Sequence, residues 1–158
     1  MSPQQAWGRV GLVMACVLLV DQVTKRLVQS GIAEGDRDGV FPGVELVHVR
    51  NHGVAFGAFA GGGTIVAVVI GVALVALVLW FVRHADKPLA WLPTGLLLGG
   101  AVGNIFDRIR DGAVTDFIKL PAWPAFNIAD VAITFGVLSL LYVLESGGDD
   151  GGADSKRV

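Results

Sequence analysis

Two aspartates are the residues of this chain best placed to do chemistry. Asp130 lies inside the apolar run Ala125 to Leu144, which is long enough to cross a bilayer. An ionisable group at membrane depth is costly, so it usually faces a protein interior or a wet cavity and marks function. Asn127 stands three residues earlier, on the same helical face. Asp116 lies in Gly112 to Leu120, which reads as a short strand with Val114, Asp116 and Ile118 on one side. If the two meet around one water, both do not easily stay ionised, and the pair then holds one proton between them over some pH range. The ionised member can take a proton from water. The protonated member can polarise a peptide carbonyl and later help the amine leave. Without that partnership, an aspartate in a polar loop is more often a solvated surface acid.

Other polar residues gather at the ends of the same apolar runs. Asp21 and Lys25 are i,i+4 neighbours at the end of the first run. They read as a helix-end ion pair or, more readily, as supports of a site. Asn51 and Gly53 end a first strand. Asn104 and Arg108, also i,i+4, end the third run, and Asp107 beside Arg108 reads as half of a buried pair fixing that helix. Asn127 is as readily a helix cap as a catalytic group.

The elements that must position these groups are apolar helices. The chain has 158 residues, 53% hydrophobic and 16% charged, which is too apolar for an ordinary soluble domain. Its four apolar runs are placed at about 7–28, 64–82, 89–106 and 125–144. Between the first two runs, 31–43 carries loop residues, Val44 to Arg50 reads as a strand, and Val54 to Ala60 is an apolar surface segment. Gly95, Gly99, Gly100 and Gly103 let the third helix approach its neighbours closely. Residues 1–145 form one domain, and the glycine-rich tail 146–158 is expected to be disordered. Four spans place both termini on one side and every polar cluster on the other. Counts of basic residues do not decide which side is cytoplasmic.

Several chemistries lack their parts. A formal charge of −2 gives no basic surface for nucleic acid. One cysteine, Cys16, allows no internal disulfide and no multi-cysteine metal site. Val13 to Cys16 loosely resembles a lipobox, but the apolar run continues beyond it, and a small cysteine in a membrane helix is the better reading. His48 and His52 lie in a strand and turn, and there is no HExxH, so no metal is expected. No serine stands in a Gly-x-Ser-x-Gly context. A proton relay would spread polar groups along the bundle, whereas here they collect at one end.

Five blocks in this order resemble lipoprotein signal peptidase, or signal peptidase II. They are Asp21-Gln22-x-Thr24-Lys25, Asn51-x-Gly53-x-Ala55-Phe56, Gly99-Gly100-Ala101-x-Gly103-Asn104-x-x-Asp107-Arg108, Val114-x-Asp116-Phe117 and Phe126-Asn127-x-Ala129-Asp130. The resemblance implies a bundle of four transmembrane helices with a small extracytoplasmic β-sheet, the β-cradle, formed with an amphipathic segment over 44–60. It implies a bacterial inner-membrane aspartic endopeptidase with cytoplasmic termini and a site near the extracytoplasmic face. Asp116 and Asp130 fall on the catalytic pair. Asp21, Lys25, Asn51, Gly53, Gly100, Asn104, Arg108, Asn127 and Ala129 fall on substrate-binding or supporting positions. The implied substrate is a prolipoprotein cut just before its diacylglyceryl-modified cysteine, and the implied inhibitor is globomycin. No cofactor is expected. The other expected partners are membrane lipids, with the chain acting as a monomer.

Overall fold

The computed structural model describes residues 1–52 and 63–146, with the backbone alone for 63–67. Among the described residues, four helices carry a three-stranded sheet at one end. The order is α1 (Pro3–Gly31), β1 (Arg37–Phe41), β2 (Val44–Asn51), α2 (Gly63–His84), α3 (Trp91–Asp111), β3 (Val114–Lys119) and α4 (Ile128–Ser146).

Each boundary has a local cause. Pro3 sits where a helix needs no N–H, and Ser2 and Gln5 close a capping box at the start of α1. Gly112, at φ +73°, ends α3 in the left-handed conformation, and its N–H donates to the Arg108 carbonyl at 3.1 Å. α3 thus runs past the expected 106, and Arg108 stands in its last turn. The fourth helix begins at Ile128, so Asp130 stands in its first turn and Ala125 to Asn127 precede it.

α1 and α4 are long and apolar enough to cross a membrane. Leu12, Leu19 and Leu27 on α1, and Phe135, Leu138 and Leu141 on α4, point outward and exposed. An apolar exterior of this extent suits a lipid surrounding better than water. α3 packs between α1 and α4 and also touches α2. Its glycines permit the approach. A Cβ on Gly99 would lie 2.9 Å from Val17 of α1, and one on Gly100 would lie 2.5 Å from the Ala129 carbonyl of α4. A separate apolar cluster of Ala6, Val10, Phe81, Ala85, Ala90 and Val143 closes the end of the bundle near the N-terminus.

The sheet is antiparallel, in the order β1-β2-β3. The sequence places strands at β2 and β3 but reads 31–43 as loop, and β1 corrects that reading. All five residues of β1 are exposed, so no buried alternation marks it. It is a strand because Pro42-Gly43, with Gly43 at φ +83°, turns the chain back to pair with β2. β3 is buried on both faces from Val114 to Phe117, because α1 and α3 pack against it as well as β2. The expected apolar segment from Val54 to Ala60, Gly53, and the tail beyond Ser146 lie outside the described residues.

Candidate active site

Asp116 and Asp130 meet around one side chain, that of Asn127. This asparagine precedes α4 and caps it: its Oδ1 accepts from the Asp130 N–H at 3.0 Å. The Asp130 Oδ2 accepts from the Asn127 N–H at 3.2 Å, which completes a reciprocal cap. With its oxygen so engaged, Asn127 turns its Nδ2 outward to Asp116 Oδ1 at 2.7 Å and Asn104 Oδ1 at 3.2 Å. The cap and the contact with the acid are thus the same residue.

The remaining carboxylate oxygens are also satisfied. Asn51, at the end of β2, donates through Nδ2 to Asp116 Oδ2 at 2.9 Å. Register explains the reach, since Val49 pairs with Asp116 and Asn51 with Val114. Asn104 of α3 donates through Nδ2 to Asp130 Oδ1 at 2.8 Å.

Behind this layer lies a buried ionic cluster. Lys25, Asp21 and Asp107 are each at most 1% exposed. The Lys25 Nζ lies 2.8 Å from Asp21 Oδ2, 2.7 Å from Asp107 Oδ2 and 3.0 Å from Asn104 Oδ1. Gln22 Nε2 links the two acids, 2.8 Å from Asp107 Oδ1 and 3.2 Å from Asp21 Oδ2. Asp21 Oδ1 accepts the Ala129 N–H at 2.9 Å, so α1 holds an otherwise orphan donor in the first turn of α4. Buried charges of this kind persist only when paired and hydrogen-bonded.

The two aspartates open onto a cavity of about 910 Å³ between α2, α3 and α4. Its polar end has Asn51, Asn104, Arg108, Asp116 and Asp130. The rest is apolar and runs down to Trp80 and Leu144. Burial pushes the Asp116 carboxyl up to about 6. The Asn51 donor opposes this, the Asp130 charge adds to it, and the Asn127 donor and Lys25 oppose it further.

The sequence matches the family model "Signal peptidase (SPase) II" over residues 13–145. The chain belongs to the signal peptidase II family. A lipoprotein signal peptidase of Moorella thermoacetica is 38% identical over 135 residues, which cover 84% of this chain and 90% of that protein. One of Rhodopseudomonas palustris is 43% identical over 150 residues, covering 85% and 90%. Two solved bacterial membrane enzymes share the fold. One has a TM-score of 0.79 at 34% identity, covering 87% of this chain and 92% of that one. The other has a TM-score of 0.83 at 32% identity, covering 96% and 94%. With its long apolar helices, the chain is a membrane protein, and by family it is a protease.

Most of the residues that the family blocks single out converge here. Asp21, Lys25, Asn51, Asn104, Asn127 and Ala129 join Asp116 and Asp130 in one network. Gly100 lies under the Ala129 carbonyl. Arg108 lines the cavity and donates to the Asn104 carbonyl at 3.2 Å. The expected Asp107–Arg108 pair is not formed. Asp107 turns instead into the bundle toward Lys25, because adjacent helical residues point about 100° apart. Asp107 and Gln22 are members of the network that the sequence reading left out of the site. Both stand in the family blocks, and the i,i+3 spacing of Gln22 to Lys25 was a further signal. Among the described residues, no group of His, Cys, Asp and Glu is arranged to hold a metal ion.

Proposed function

We propose that this chain is an aspartic endopeptidase that removes the signal peptide from diacylglyceryl-modified prolipoproteins, cutting just before the modified cysteine. The observation that carries the reading is the meeting of Asp116 and Asp130 around Asn127, at the polar end of a deep apolar cavity. The curated relatives bear the name lipoprotein signal peptidase, which supplies the substrate class.

In this reading Asp116 carries the proton at rest, in keeping with its upward shift to about 6. Asp130, ionised, takes a proton from the attacking water, while Asp116 polarises the scissile carbonyl and later protonates the leaving amine. The apolar length of the cavity receives the lipid-modified peptide from the bilayer. Water enters from the sheet side. Arg108 and Asn51 border the peptide. The four helices span the inner membrane with both termini cytoplasmic, and the sheet lies on the extracytoplasmic face.

Cleavage of a diacylglyceryl prolipoprotein in detergent tests the assignment. Asp116→Asn and Asp130→Asn should each abolish it while the protein stays folded and still binds globomycin-type inhibitor. Full cleavage by either variant refutes the pair.

A further inference from the structure

We infer that Lys25, which hydrogen-bonds to neither Asp116 nor Asp130, is a positioning residue for the pair: its ammonium fixes the Asn104 amide so that only donors face the two carboxylates. The inference rests on the proposed role of that pair.

An ammonium can only donate. The Asn104 atom 3.0 Å from Lys25 Nζ must therefore be oxygen, which puts Nδ2 on Asp130 Oδ1. The second anchor is the Asp130 N–H, which also only donates and so fixes Asn127 Oδ1. The Asn127 Nδ2 then faces Asp116 and the Asn104 oxygen. The two anchors agree, since the Asn104 oxygen receives donors from both Lys25 and Asn127. Lys25 itself is held between Asp21 and Asp107, two acids on different helices, so the ammonium has a fixed place. Without it, the Asn104 oxygen keeps only the longer contact from Asn127 Nδ2 at 3.2 Å, a weaker hold against turning that oxygen toward Asp130. An acceptor there favours the protonated form of its partner, whereas a donor favours the ionised form.

Among the described residues, the charged groups around the pair are few. Asp21 and Lys25 approach from α1, Asp107 and Arg108 from α3, and Asp116 itself lies on β3. The charged residues of β2 are engaged elsewhere: Glu45 with Arg37, and Arg50 with the Asp111 carbonyl. His48 of the same strand meets the Ile32 carbonyl. The described cavity-lining residues of α2 are apolar.

The test is the pH profile of kcat/KM for prolipoprotein cleavage by Lys25→Met and by Lys25→Met/Asp107→Asn. The double variant removes one positive and one negative charge, so the net charge behind the pair is unchanged. The inference expects the acid-side half-point to move up by about one pH unit in both variants, as the loss of one donor to a charged group implies. A half-point that moves in Lys25→Met but returns in the double variant would mean that charge alone acts, and overturns the inference. So would a uniform loss of rate with an unmoved half-point, which is what mere structural support predicts. Asn104→Leu removes the same donor with all three charges kept, although Lys25 loses the Asn104 oxygen as an acceptor. It serves if the Lys25 variants do not fold, and an unmoved half-point there also overturns the inference. Inactivity of Asp116→Asn and Asp130→Asn in the same assay keeps failure of this inference distinct from failure of the proposed pair.

Discussion

Asn127 holds Asp116 at 2.7 Å with the same side chain that caps α4. Helix start and the geometry of the proposed active site are therefore one structural event. Serine and leucine at this position should separate the two roles. Asn127→Ser keeps a capping hydroxyl but is too short to reach Asp116, so its Tm should stay near that of the parent while kcat falls about tenfold or more, the worth of a hydrogen bond to an ionisable group. Asn127→Leu loses both and should also lose about 1 kcal/mol of stability. Equal activity in Asn127→Ser and the parent would refute the coupling. Thermal unfolding and cleavage rates in detergent measure the two effects side by side.

Gly100 sets the distance between α3 and α4. A Cβ there would sit 2.5 Å from the Ala129 carbonyl and 2.8 Å from Ile133. The carbonyl is backbone, so the helix must move rather than a side chain. Gly100→Ala should cost about 1–3 kcal/mol and shift Asp130 away from Asn104, lowering both Tm and activity. Gly71→Ala is the control, because nothing lies within 4 Å of its added Cβ. A parent-like Tm for Gly100→Ala would show that the helices have room to spare.

Much of this site was legible in the sequence because the membrane makes polar residues conspicuous. Asp130 stands out in an apolar run, and Asn104 and Asp21 stand out for the same reason. Helical spacing then places Lys25 with Asp21. The strand β1 was not legible, since an exposed edge strand has no buried face to pattern its sequence. Nor was the partner of Asp107. Sequence puts it beside Arg108, but the ion pair crosses from α3 to α1, a contact set by helix packing around Gly99 and Gly103. Asn127 posed a choice between cap and site residue. The fold makes it the cap and also puts it on Asp116, because a side-chain amide has two ends and each finds a different partner.

Asp116 gives the site a pH dependence whose sign can be worked out. Its carboxyl is pushed up to about 6, chiefly by burial. The protonated form is present below that value and lost as pH rises through it. If Asp116 supplies the proton to the leaving amine, kcat/KM should decline on the basic side of about pH 6. The Asn51 donor favours the ionised form, so Asn51→Leu should carry that decline to higher pH, by about one unit. Stability should follow the same titration. A carboxyl raised on folding contributes stability below its unfolded value of about 3.9, and that contribution is lost as pH rises through about 6. Asp116→Asn should therefore raise Tm relative to the parent at pH 7.5 and lose that advantage at pH 4. Activity profiles of the parent and Asn51→Leu, with unfolding curves of Asp116→Asn at the two pH values, check both signs. A basic limb that moves down in Asn51→Leu, or an Asp116→Asn gain that is larger at pH 4, would contradict the assignment of the proton to Asp116.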